Sequence, residues 1–249
     1  MPESNKSARF NVDIMMKRAL FILLCILSVG IVRAQEPRIQ NRPYLDQRFL
    51  HYGFFIGINM MDMEVQNNGY IDPETGEQWY TEVDNYQPGF TVGVIGELRL
   101  TKTLGLRFEP TIHFGQKHVF FHEQVSGRDT TQNLKSTYLA IPLKLKVAAP
   151  RYNNFRPYAV VGVAPYIDLT ARKHGALLTE RLDCYLEIGM GCDVYLPYFK
   201  LIPELKFCFG LRDILAHDRS DLIDASLLKY TKSLDKGHAS MISLVFYFE

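Results

Sequence analysis

Residue types that commonly carry site chemistry are scarce in this chain. Cysteine occurs four times in 249 residues and tryptophan once. With Cys25 set aside in a leader, Cys184, Cys192 and Cys208 remain, an odd number without metal-ligand spacing. Cys184 and Cys192 fall eight residues apart in one strand-like stretch, about 26 Å at strand rise and too far to bridge. No glycine-rich phosphate loop or specific metal motif is present. Charge of one sign is also missing. Lys and Arg number 28 against 27 Asp and Glu, which argues against nucleic acid as a partner. No cofactor, bound metal or small-molecule substrate is expected.

Long apolar runs are absent as well. The run from Ala19 to Val32 has 14 residues, short of the roughly 20 that a spanning helix needs. It follows Lys17-Arg18 and leads into Val32-Arg33-Ala34, the order of a secretory signal cleaved after Ala34. Residues 1–34 therefore read as an N-terminal extension and signal peptide, 35–49 as a periplasmic segment and 50–249 as one domain. Cleavage removes five cations and two anions, leaving 23 basic and 25 acidic residues.

What the chain does have is alternation. In "LGLRFEPTIHFG", Leu104, Leu106, Phe108, Pro110, Ile112 and Phe114 alternate with Gly105, Arg107, Glu109, Thr111, His113 and Gly115. A period of two is a strand with two unlike faces. The same reading gives strands near 50–63, 86–100, 104–117, 135–149, 156–169, 181–196, 200–211 and 238–249. Short links at 101–103, 152–154 and 197–199 alternate with longer ones. An even strand number with alternating short and long links predicts an eight-stranded antiparallel up-and-down transmembrane β-barrel of outer-membrane type, both termini on the short-turn, periplasmic side.

A soluble barrel would hide its apolar face and show its charged one. Here the polar face is small, glycine-punctuated and mixed in sign, so the apolar face is assigned to outer-membrane lipid and the polar face to the lumen. Glu97, Glu109, Glu187 and Glu204 then neutralise Arg99, Arg107, Lys144, Lys146 and Lys206 inside a barrel just wide enough for its own side chains. Tyr52, Tyr158, Tyr166, Tyr195, Tyr198 and Tyr247 fall near strand ends, where interface girdles are expected. Pro110, Pro142, Pro165 and Pro203 interrupt strands, and bulges are expected there. In the connection 212–237, Ser220 or Asp221 caps a short helix bearing Ile223, Leu227 and Tyr230 on one side, a candidate surface contact.

The histidines offer little chemistry. His118 and His122 lie about 13 Å apart on a strand, a poor metal pair. His217 and Asp218 beside Ser220 have the residue types of a triad without its geometry. A lipid-modifying enzyme using His118, His122 or His217 is one rival reading; a structural or adhesive barrel is another. The main expectation is a protein that is not an enzyme.

The segment "NRPYLDQRFLHYGFFIGIN" resembles the opening of the PorT family of Bacteroidota outer-membrane barrels. Asn41, Pro43, Asp46, Arg48, His51, Tyr52, Gly53, Phe54, Gly57 and Asn59 carry the likeness, an Asn-x-Pro segment followed by a His-aromatic-Gly-Phe strand entry. The resemblance implies an accessory or assembly role in the type IX (Por) protein secretion system, without catalytic residues and through contacts with other secretion-system proteins. Asn41, Pro43, Asp46, Arg48, His51 and Gly53 become candidate periplasmic contacts on that basis.

Overall fold

A computed structural model describes residues 40–72, 76–83, 87–123, 127, 129–170, 178–216 and 233–249. The strands are β1 (Leu50–Asn67), β2 (Trp79–Val83), β3 (Gln87–Arg99), β4 (Leu104–Phe108), β5 (Thr111–Glu123) and β6 (Asp129–Ala140). They continue with β7 (Leu143–Ala148), β8 (Phe155–Asp168), β9 (Leu182–Tyr195), β10 (Lys200–Gly210) and β11 (Leu234–Phe248). Each pairs antiparallel with its neighbours; β1 joins β3 to β11, and β9, at the far end of that run, pairs with β8, which closes the sheet into a barrel. Asn41–Glu249 form one compact unit.

Eleven hydrogen-bonded strands among the described residues exceed the eight expected, because the spans expected at 104–117 and 135–149 are each broken in two and β2 lies in a stretch expected as a link. β4 and β5 part at Glu109-Pro110, and β6 and β7 part at Ile141-Pro142. β3 and β2 are successive partners of β5, at Thr111–Phe114 and Val119–Glu123 respectively. Proline lacks the N–H that a ladder needs. Bulges were expected at the four prolines; the ladder instead breaks at Pro110 and Pro142. At Pro165 the strand continues beside β9, while its other side changes partner from β7 to β6. At Pro203 only the ladder toward β9 lapses. Between β1 and β11 the register shifts at Gln66/Asn67, away from any proline.

The strands sort their side chains by height. On β1, Leu50, Tyr52, Phe54, Ile56, Ile58 and Met60 point outward and are exposed, while His51, Phe55 and Asn59 are buried. Ten residues of strand tilted near 40° make a band about 25 Å tall, the apolar height of an outer-membrane barrel. Above Met60 the rule reverses: Asp62, Glu64 and Gln66 turn outward, Met61 and Met63 inward. β5 follows in part, with Gln116, His118 and His122 outward and Val119 and Phe121 fully buried, while Phe120 is also outward and Lys117 and Glu123 are buried. This upper wall explains why strands run further than expected. β5 reaches Glu123 and β6 starts at Asp129, so the connection expected at 118–134 is largely a hairpin.

The interior has two storeys. Met61, Met63, Trp79, Val119, Phe121, Met241 and their neighbours fill the long-loop half with an apolar core, capped by Ile214 and Leu215. The short-turn half holds Phe55, Tyr158, Val160, Ile202 and Tyr247 around a layer of charge.

Candidate functional site

Arg107 is the centre of that charged layer. Period-two alternation in β4 turns it inward between Leu106 and Phe108, and it is 0% exposed. Its Nε donates to Glu97 Oε2 at 2.8 Å and its Nη1 to Glu204 Oε2 at 2.6 Å. The guanidinium lies 4.7 Å over the Tyr158 ring, a cation–π contact. Glu109 is a second hub, accepting from Lys144 at 2.9 Å, Lys206 at 2.7 Å and the Tyr247 hydroxyl at 3.0 Å. Lys144 also pairs with Glu187 at 2.6 Å. Lys146 pairs with Asp193 at 3.0 Å and Glu97 at 3.3 Å.

Glu97, Arg107, Glu109, Lys144, Lys146, Glu187, Glu204 and Lys206 thus lie in one buried network. Arg99 does not join it. It is half-buried at the short-turn mouth, where its Nη1 donates to the Asp46 carbonyl at 2.7 Å, because it is the last residue of β3 and clears the wall. Sequence reasoning missed Asp193 and the tyrosines. Tyr158, Tyr166, Tyr195 and Tyr247 were expected in an interface girdle but are buried; their hydroxyls donate to Glu204, Glu187, Asp46 and, for Tyr247, both Glu109 and Glu204. Their parity was the available signal, since Tyr158 and Val160, like Val245 and Tyr247, share a face two residues apart. Tyr52 and Tyr198 do point outward and are exposed.

Below the network, Asn41–Phe49 form a strap across the short-turn mouth, with a 3-10 turn at Leu45–Gln47. Asn41 N–H donates to Asn154 Oδ1 at 2.9 Å and its side-chain amide to the Tyr195 carbonyl at 3.0 Å. The Asp46 carboxylate accepts from the Tyr195 hydroxyl and pairs with Arg151 at 3.5 Å and Arg156 at 3.4 Å. His51 is buried 3.6 Å from Glu249, which also pairs with Lys200. Gly53 has a backbone reason to be glycine, since a Cβ there would lie 2.2 Å from the Phe248 carbonyl oxygen. Pro43 and Arg48 are exposed. Between strap and network lies a cavity of about 20 Å³, lined by Asp46, His51, Glu97, Arg99, Lys146 and Arg156, room for about one water.

Burial opposes ionisation of Glu249, yet the charge of Lys200 beside it outweighs burial and brings the carboxyl down to about 2. At the other end, His118 and His122 point outward and each meets a cross-strand neighbour, Asn133 and, at 2.6 Å, Asp129. Among the described residues no group of three or more His, Cys, Asp or Glu side chains is placed to hold a metal. His217 and the segment with Ile223, Leu227 and Tyr230 lie outside the described residues, as does the leader with its expected cleavage after Ala34.

A closed antiparallel sheet with an apolar belt outside and ion pairs inside defines an outer-membrane β-barrel. The chain belongs to the outer membrane protein beta-barrel domain family, whose model matches residues 34–216. It is similar to the solved structure of OprG from Pseudomonas aeruginosa, at 12% identity and TM-score 0.40, covering 80% of this chain and 92% of that one. It is also similar to Ail of Yersinia pestis, at 14% identity and TM-score 0.33 over 80% and 97% of the two chains. AlkL shows 13% identity and TM-score 0.38 over 87% and 94%. No curated protein matches the sequence.

Proposed function

We propose that this barrel is an accessory or assembly component of a type IX (Por) protein secretion system, acting through protein contacts rather than catalysis. One observation carries the reading: the lumen is filled by Arg107, Glu109 and their partners, and its short-turn mouth is covered by the strap. A filled lumen leaves no path for a folded cargo, so the work falls to the surfaces at either end. The PorT-like opening supplies the system, and its Asn41, Asp46, His51 and Gly53 are the residues that build the strap and its seat. Pro43 and Arg48 are then the members of that motif free to meet a periplasmic partner, with both chain ends in the periplasm after signal cleavage. The loop bearing Ile223, Leu227 and Tyr230 is the second contact.

Deleting the gene and quantifying folded cargo in periplasm and medium tests this. Accumulation inside with loss outside, restored by the intact gene, is the expected result. Unchanged export contradicts it and favours a structural or adhesive barrel. Unchanged export accompanied by altered lipid A that follows His118 or His122 substitution favours a lipid-modifying enzyme.

A further inference from the structure

We propose that the short-turn mouth is a carboxylate-binding socket for an acidic segment of a periplasmic partner protein, and that Asp46 of the chain's own strap occupies it in the arrangement described here. The inference rests on the reading above, that the short-turn end faces the periplasm and works by protein contact.

Four side chains from separate elements converge on the Asp46 carboxylate or its backbone. Arg99 ends β3, Arg151 lies in the turn after β7, Arg156 enters β8 and Tyr195 ends β9. Arg151 is stacked 3.6 Å from the centre of the Tyr195 ring, which fixes its guanidinium plane. Arginine's planar fork suits two-point recognition of a carboxylate. Yet Asp46 receives single contacts of 3.4 and 3.5 Å from Arg156 and Arg151, against 2.6 to 3.0 Å for the closest pairs in the lumen. The two arginine pairs are thus the long contacts of the seat, and each guanidinium also donates to a backbone carbonyl, Arg151 Nε to Asn153 and Arg156 Nε to Ala149. The Tyr195 hydroxyl and Arg99 hold Asp46 closely.

The strap is attached in a way that permits exchange. The bonds that tie residues 41–48 to the barrel have a side chain at one end or the other, and the strap's backbone bonds the barrel's backbone at Phe49, whose carbonyl accepts from the Arg99 N–H at 2.9 Å. The surroundings are basic, although the whole chain carries a formal net charge of only +1. Arg42, Arg48 and Lys102 join the three socket arginines at this end, while Glu249 is taken by Lys200.

The occupant in place indicates the ligand class. It is an aspartate in a peptide, preceded by Leu45, which is buried under the mouth. A phospholipid phosphate would reach the outward rim of the barrel. The side chains of Arg151, Arg156 and Asp46 are 9%, 15% and 24% exposed, and they face the mouth beneath the strap. An acidic protein segment fits that position.

The test uses the full chain in nanodiscs of neutral phosphatidylcholine and a fluorescein-labelled octaglutamate peptide, read by anisotropy. Removing the competing carboxylate with Asp46→Asn should tighten peptide binding about tenfold, the worth of one charge-assisted hydrogen bond. Arg151→Ala with Arg156→Ala in that background should abolish the gain, and added salt should weaken binding. Heat-shifted migration on gels checks that each barrel is folded. If the double alanine variant fails to fold, Arg156→Gln and the salt titration of Asp46→Asn alone decide. No gain in Asp46→Asn, or a gain that survives loss of the arginines, overturns the socket. Arginine-dependent binding to phosphatidylglycerol vesicles without peptide binding overturns it in favour of a headgroup contact. Loss of export on gene deletion together with failed peptide binding removes the socket and leaves the secretion reading standing; intact export with arginine-dependent peptide binding does the reverse.

Discussion

Near its short turns the barrel shows apolar side chains outward and hides ion pairs, whereas near its long loops it shows acids, histidine and amide outward and hides methionine, valine and phenylalanine. β1 makes both choices along one strand, with Ile56 and Ile58 outside and Asn59 inside, then Asp62 and Glu64 outside and Met61 and Met63 inside. The outward face follows the solvent. Where water is outside, burying Phe121 and Met63 is favourable in itself. Where lipid is outside, burying another apolar side chain gains little, and directional bonds such as Arg107 to Glu97 and Glu204 take over the interior.

The sharpest way to break this contrast is to remove one hub from the ionic storey. Glu109→Ala leaves Lys144, Lys206 and the Tyr247 hydroxyl without their shared acceptor. Stripping one partner from a buried charge network costs about 3 to 5 kcal/mol, which urea unfolding in lipid vesicles would register. Next in size is a matched pair on the outward face of β1. Ile56→Arg, in the middle of the apolar belt, should cost about 2 to 4 kcal/mol. Gln66→Arg, ten residues on and above the belt, should stay within about 0.5 kcal/mol. Equal costs at the two positions would place the lipid boundary elsewhere.

A smaller effect is expected from pH at the short-turn end. Because the Glu249 carboxyl is brought down to about 2 from its ordinary 4.5, its contribution is complete above 4.5 and is lost as pH falls toward 2. Unfolding midpoints measured at pH 6 and pH 3 should differ more for the native chain than for Glu249→Gln.

Much of the lipid-level wall was legible in the sequence. Leu143, Leu145 and Val147 set against Lys144 and Lys146 define both faces of β7 without further help. The upper wall was harder to read, since on β6 Thr131, Asn133 and Lys135 leave no apolar outward face to count. Arg99 belongs by parity with the lumen, and only the end of β3 reveals that it reaches Asp46 instead. Tyrosine misled because its ring suits an interface and its hydroxyl suits a carboxylate, and alternation alone separates Tyr52 from Tyr247. The strap's seat was invisible because Asp46 meets Arg151, Arg156 and Tyr195 more than 100 residues away.

A lumen closed by its own side chains is the central claim. The direct measurement is ion conductance of the purified, refolded barrel in a planar bilayer. A closed lumen predicts a current indistinguishable from that of the bare membrane, and steady unitary openings in the native chain would contradict it.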